Sequence, residues 1–327
     1  MAKGDRTTLS GLVEAFRGKM TIWRLQKLGR TGAAVFRTYM IVCLSFVVLY
    51  PIFYMISATF RSPVEILDPA VIWIPKHWTL ENLTVVLKLT NFLPSLKNTA
   101  WIALSNTVLQ IVSCSLAGYG FARFRFRGRK ILFGMVLLSI VVPAPTVAIP
   151  MFMQIRFFDF FGIGNLIGLI TGKALIVSLY NTPFALLVPS LLANGIRGGL
   201  YIYIFRQFFM GMPLDLEDAA YIDGCGFVRT FTKIVVPLAV PPMLVTFLLS
   251  LIWYWNDVFA TSLFYSAAPT LSSNLEGMYG RLWNLYDTYQ IAAFQQAASL
   301  LLIVPVLLVY LFMQRYFIQS IDRTGFK

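Results

Sequence analysis

The residues equipped for bond-making chemistry are few and far apart. One histidine, His77, and three cysteines, Cys43, Cys114 and Cys225, stand in a chain of 327 residues. None falls at a spacing that gathers metal ligands or forms a Cys-x-x-Cys pair. Zinc, haem and iron–sulfur catalysis are excluded, and no cofactor is implied. The nearest approach to a phosphate-binding loop, Gly168 to Ala174, has the wrong glycine spacing and no Ser or Thr after Lys173. Neither HExxH nor GxSxG occurs. The chain therefore reads as a non-enzyme without an ATPase motif of its own. What remains is the chemistry of recognition, in polar groups set inside apolar runs: Asn98, Asn106 and Gln110, then Asn194 and Arg197, then Asn256 and Asp257. Such groups face a bundle interior and mark a pathway by default. Trp253, Tyr254 and Trp255 add aromatic faces beside the Asn256 amide, a combination that suits a sugar. Trp and Tyr also collect at bilayer interfaces as anchors, so both readings stand. Arg197 serves equally as a gate or as an ion pair to a partner subunit.

These groups need helices to position them in a membrane. Apolar residues make up 58% of the chain and charged residues 13%, against roughly half and a quarter in a soluble domain. A helix needs about 20 mostly apolar residues to cross the hydrocarbon core. Six segments meet that test: 39–59, 99–120, 131–153, 183–205, 238–259 and 290–313. The third contains Pro143, Pro145 and Pro150 and is expected to be irregular at its far end. The fourth is interrupted by Asn194, Arg197 and glycines. The apolar stretch 163–181 is re-entrant, interfacial or an additional span.

Charge sets the orientation. Lys and Arg number 27 against 14 Asp and Glu. Much of the excess lies in a basic arm, residues 1–38, which carries no cleavable apolar core, and in Arg123, Arg125, Arg127, Arg129 and Lys130 after the second span. Positive-inside then places both termini in the cytoplasm of a multi-pass cell-membrane protein. The arm suits either an amphipathic helix on anionic membrane lipid or a solvated tail. Alternating Phe and Arg at 121–127 reads as an interfacial anchor rather than a nucleic-acid patch. The expected division is the arm, a first span with outer loop at 39–93, a membrane core at 94–315 and a tail at 316–327.

The longest cytoplasmic connection, 206–237, reads as helix, glycine turn, helix. Pro213 suits a first helical position, and Asp215, Glu217 and Asp218 complement the positive end of the helix dipole. Gly224 supplies a left-handed turn residue, and Pro237 is expected to end the second helix. Small Ala219 and Ala220 near a compact turn, with Leu214, Tyr221, Phe227 and Phe231 beside them, suit a docking knob or an ordinary interfacial hairpin.

At these residues the sequence resembles the inner-membrane permease subunits of binding-protein-dependent ABC importers. Their EAA signature is Glu-Ala-Ala, three residues, Gly, nine residues, Ile, one residue, Leu-Pro. It is matched in every spacing by Asp218, Ala219, Ala220, Gly224, Ile234, Val236 and Pro237. Asp218 replaces the glutamate and Val236 the leucine; Glu217 lies one place earlier, so either acid could serve. Further stretches resemble the carbohydrate branch, specifically the shorter permease of maltose-type systems: Asn82 in HWTLENL, SLKNT, AGYGFARFRFRGRK, FRQFF, WNDVF and QRYFIQSIDRTGFK. The resemblance implies an all-α integral membrane protein with six transmembrane helices and the type I ABC importer permease fold. It also implies a second permease subunit, two ATP-binding subunits and an extracytoplasmic solute-binding protein as partners, with no nucleic acid. The EAA loop would then couple motion of the ATPase subunits to alternating access. The loop 265–287, with Tyr279, Trp283 and Tyr286, would contact the binding protein. The alternatives are half of an ion-coupled secondary transporter, or an ABC permease for a solute other than a sugar.

Overall fold

The computed structural model describes residues 6–324 apart from 63, 66–67, 69–72, 161 and 284, with side chains from residue 30 to 316. Among the described residues the regular structure is helical. The first helix, α1 (Arg6–Thr59), joins the expected arm and first span in one element; the arm's side chains before residue 30 lie outside the described residues. Asn82, fully buried, closes the end of α1 by donating from Nδ2 to the carbonyls of Thr59 (3.0 Å) and Arg61 (2.8 Å). It opens α2 (Glu81–Leu89), whose Val86 is buried with Leu271, Leu275 and Phe294.

The central helix is α3 (Phe92–Arg123), about 48 Å long at 1.5 Å per residue. Ser95, Thr99, Ala103, Asn106, Gln110, Cys114 and Gly118 recur along it every three or four places and are all buried. Small and polar residues at that spacing let neighbouring helices approach closely inside a membrane. At Gly118 a Cβ would stand 2.6 Å from Cβ of Phe205, so glycine is required where the helix carrying Phe205 crosses.

The third expected span does not run straight. It is α4 (Arg129–Val141), a 3-10 turn (Ala144–Val147) and α5 (Ala148–Arg156), bent by 113°. Pro143 forces Val142 into an extended conformation, and Pro143 and Pro145 both lack the amide that would continue the helix, so the break falls mid-span rather than at the far end. The stretch after it forms a hairpin: α6 (Ile163–Thr171) turns at Gly172 and the chain returns alongside, with Phe158 and Val177 exchanging backbone hydrogen bonds of 3.1 and 2.9 Å. A nine-residue helix is only about 14 Å long, too short for an additional span.

The fourth expected span is divided between α7 (Phe184–Leu191) and α8 (Gly198–Gly211). The connection after it carries α9 (Asp215–Ile222), α10 (Phe227–Thr230), a π turn (Phe231–Val235) and α11 (Val236–Leu238). Then comes α12 (Val240–Trp255), inclined by 72° to the preceding segment and shorter than the expected 238–259. Pro237 does not stop the second helix: the wide turn before it absorbs the missing amide, and the break falls at Ala239, before prolines in the first turn of α12. The chain ends with α13 (Phe259–Phe264), α14 (Leu271–Leu282) and α15 (Thr288–Thr324). The expected outer loop thus holds a helix, and the expected tail continues α15.

Among the described residues, three segments are each long and apolar enough to cross a bilayer: Arg30–Thr59, Phe92–Arg123 and Thr288–Tyr316. The two bent pairs, Arg129–Val141 with Ala144–Arg156 and Phe227–Leu238 with Val240–Trp255, qualify when each is taken together. Helices α7, α8 and α12 pack around α3, whereas α1 lies outside against α15 and exposes Phe36, Tyr39, Val47 and Val48.

Candidate functional site

The hairpin at 215–238 is built around one turn. Gly224 has φ +78°, its amide donates to Tyr221 O (3.0 Å), and the Cys225 amide donates to Ala220 O (2.9 Å). This is the paired hydrogen bonding of a Schellman cap, which satisfies the last carbonyls of α9 and needs a residue free of left-handed strain. Helix α9 begins two residues later than expected, with Leu214 as its cap and Pro213 just outside.

The adjacent acids Glu217 and Asp218 lie on different faces of α9. Asp218 is exposed, as is Ala219, whereas Glu217 and Ala220 are buried. Glu217 Oε2 accepts from the Tyr119 hydroxyl (2.6 Å) and Oε1 from Arg123 Nε (2.7 Å); Arg123 Nη2 reaches on to Met212 O (2.8 Å). Around this pair Tyr119 contacts the rings of Phe124, Phe209, Phe227 and Phe231. The hairpin is thereby joined to the ends of α3 and α8 by a buried ion pair inside an aromatic shell, where low dielectric strengthens it. Ile234 and Val236 are half-buried and Pro237 exposed, with Phe231 and Val235 on the inner face. The free tip presents Leu214, Tyr221, Ile222, Phe227 and Val228, of which Ile222 is 86% exposed. A rigid base with an apolar tip can receive a push from a partner and pass it to the spans. The i, i+4 spacing of Tyr119 and Arg123 was the available sign of this base, but nothing local tied it to Glu217.

In the middle of the bundle the structure gathers Asn106 and Gln110 with Tyr254, singled out above for its aromatic face, and with Ser113, Ser190 and Ser250, which no sequence signal had ranked. Ser190 Oγ lies 2.6 Å from Asn106 Oδ1 and 2.7 Å from the Tyr254 hydroxyl, which accepts from the Ile196 amide at 3.0 Å. Gln110 donates to Ile196 O (2.9 Å) and accepts from Ser250 (2.7 Å), while Ser113 donates to Ser190 O (2.7 Å). Both amides are thus fully buried and engaged within the chain. Their partners lie on α7, α12 and the turn 192–197, where the break in the fourth span frees backbone groups that would otherwise be unpaired.

That turn holds Ala193 and Arg197 at φ +58° and +59°, an uncommon conformation for residues with a side chain. Asn194 and Arg197 are exposed beside it, the guanidinium 4.3 Å from the centre of the Trp253 ring. Asn194 also lines a cavity of about 240 Å³ with Gln154, Met151, Phe158 and Leu179. Trp255, by contrast, is buried and donates from Nε1 to Leu302 O (3.0 Å), fastening α12 to α15. Asn256 is exposed and folds back onto Ile252 O (2.9 Å).

Among the described residues no group of His, Cys, Asp and Glu is arranged to hold a metal ion. The family model described as "Binding-protein-dependent transport system inner membrane component" matches residues 110–323. An arabinooligosaccharide transport permease of Halalkalibacterium halodurans is 27% identical over 288 residues, covering 87% of this chain and 93% of that protein. A maltodextrin transport permease of Bacillus subtilis is 28% identical, covering 89% and 95%. A Synechocystis permease for uptake of osmoprotective compounds is 30% identical, covering 77% of each chain. The solved structure of a bacterial ABC transporter for alginate import has the same fold, with a TM-score of 0.63, 22% identity and coverage of 87% of this chain and 96% of that one. The match spans most of the bundle, including the hairpin and the broken fourth span, and the chain belongs to the family of inner-membrane components of binding-protein-dependent transport systems.

Proposed function

We propose that this multi-pass membrane protein is a permease subunit of an ATP-driven carbohydrate importer, forming half of the translocation pore. Its hairpin 206–237 would couple an ATPase subunit to alternating access. The observation that carries the coupling assignment is the division of labour between the two acids: Glu217 anchors the hairpin to α3, leaving Asp218, Ala219 and the apolar tip free to dock. Packed interfaces of this kind switch between discrete arrangements rather than deforming continuously. A second permease, two ATP-binding subunits and an extracytoplasmic solute-binding protein complete the assembly, with helix α14 in the loop 265–287 as the contact for the last. Six crossings with both termini cytoplasmic accommodate this arrangement if the broken fourth segment counts as one span. On the solute path we place Asn194, Arg197, Trp253 and Asn256, which are exposed, with Asn106, Gln110 and Trp255 supporting them from behind.

Oligosaccharides are the solute class because relatives covering nearly all of the chain are named for arabinooligosaccharide and maltodextrin transport. The relative named for uptake of osmoprotective compounds keeps a solute other than a sugar as the second reading. The test is reconstitution with the partner subunits. Gly224→Leu should abolish transport and solute-stimulated ATPase while the protein still inserts and assembles. Normal coupling in that variant would refute the hairpin's role. A panel of oligosaccharides should stimulate ATPase in the unaltered complex; stimulation by a non-sugar solute alone would move the substrate class and spare the permease assignment.

A further inference from the structure

We propose that the α3–α4 turn and the outer face of α4 form a binding site for one anionic phospholipid, with the phosphate held by basic side chains and an acyl chain along the helix. An open groove of about 500 Å³ is lined by Arg125, Phe126, Gly128, Arg129, Lys130 and Ile131. Among the described residues the ion pairs are Lys76–Asp68, His77–Glu65 and Arg123–Glu217, so none of the groove's cations is neutralised by a carboxylate. An aromatic chain leads from the groove into the bundle: Phe126 contacts Phe121, Phe121 contacts Phe133, and the Arg206 guanidinium lies 3.9 Å from the centre of the Phe133 ring. Arg206 Nε is buried without a hydrogen-bond partner. The groove therefore collects the positive charges of Arg125, Arg129 and Lys130 at the start of a helix whose dipole adds to the same field, while Arg206 lies behind Phe133 and outside its lining.

The second half of the site is apolar. Helix α4 buries none of its residues. Ile131, Met135, Leu138 and Val142, three or four places apart, form a stripe rising directly from the groove, all at least 36% exposed. The helix is about 20 Å long, comparable to an extended acyl chain. A phosphate-binding end continuous with a lipophilic stripe fits a phospholipid better than a free anion, which would use only the groove, or a nucleic acid, which would leave the stripe bare. Basic pockets at a membrane surface contribute roughly a factor of five in affinity per Lys or Arg.

The test compares retention of phosphatidylglycerol and phosphatidylcholine with identical acyl chains on the purified full-length protein in its membrane complex, by native mass spectrometry. Phosphatidylglycerol should be retained selectively. Retention should fall on the order of a hundredfold in the triple variant Arg125→Gln, Arg129→Gln, Lys130→Gln, and persist in the control that combines Lys88→Gln on α2 with Lys97→Gln at the opposite end of α3. Equal retention of the two lipids, or no change in the triple variant, overturns the proposal. Displacement by inorganic phosphate assigns the groove to a free anion and also overturns it. Should the triple variant not be recovered, p-benzoylphenylalanine at Met135 in the otherwise unaltered chain decides the matter. Crosslinking to phosphatidylglycerol supports the site; crosslinking to phosphatidylcholine equally, or only to another protein chain, refutes it.

Discussion

Glu217 and Arg123, 94 residues apart in sequence, meet at 2.7 Å and are both nearly enclosed, with side-chain exposures of 6% and 10%. The contact joins the base of the 215–238 hairpin to the last turn of α3. Breaking a buried pair by removing one partner costs roughly 3–5 kcal/mol, because the other charge is left unmatched. Glu217→Leu should therefore loosen the hairpin and uncouple ATP hydrolysis from transport. Adding Arg123→Met, which removes the stranded charge, should restore much of the thermal stability but not the coupling. Thermal unfolding of the solubilised protein and the ratio of transport to ATPase in the reconstituted complex read these separately.

The turn at Gly224 makes a conformational prediction independent of size. A left-handed φ costs an ordinary L-residue about 1–2 kcal/mol and costs Asn less. Because a Cβ at Gly224 would meet open space, Gly224→Asn should stay close to the parent, Gly224→Ala should lose about 1 kcal/mol, and Gly224→Val should lose more. Proteolysis within 220–228 at fixed protease concentration should follow that order. Equal cleavage of the Asn and Val variants would contradict it.

In the middle of the bundle, Gly195 is confined by side chains instead. An added Cβ would stand 2.5 Å from Gln110 Nε2, Ser190 Oγ and Tyr254 Oη. Gly195→Ala should therefore force the polar network apart and lower the melting temperature. Tyr254→Phe should do so more gently, leaving the Ile196 amide short of its acceptor at a cost of about 1–3 kcal/mol. Their effects should be less than additive, since both act on one network. Melting curves of the two single variants and the double variant test this.

The segment between α1 and α2 carries a pH-sensitive clasp. Burial pushes the Glu65 carboxyl upward, but hydrogen bonds from the His77 side chain, the His77 amide (2.8 Å) and the Lys76 amide (3.2 Å), with the His77 charge, outweigh it and hold the group below its ordinary value. The carboxylate form stabilises the folded loop, so the stabilisation is complete above the ordinary carboxylate range and disappears as pH falls through the lowered value. Hydrogen exchange of the Lys76 and His77 amides, corrected for intrinsic rate, should accelerate below that range, and Glu65→Gln should show the accelerated rate already at neutral pH.

The membrane class, the approximate places of five long or bent apolar segments and the helix–glycine–helix hairpin follow from the sequence, because apolar run length, proline and glycine act through their immediate neighbours. Gly224 is the clearest instance: its role depends on local backbone conformation, and its φ of +78° is the expected one. The 113° bend between α4 and α5 was harder to place. Three prolines announce irregularity, but which of them breaks the helix depends on which freed carbonyls find partners nearby. Only tertiary structure decided that Glu217 turns inward while Asp218 faces out, since adjacent helical positions differ by about 100° and the choice rests on Arg123 and Tyr119 arriving from α3. The same holds for Asn106 and Gln110. A polar group inside a span must find a partner, a requirement visible in composition; that the partners are Ser190, Ser250 and the Ile196 carbonyl in the broken span is fixed by packing across more than 80 residues of chain.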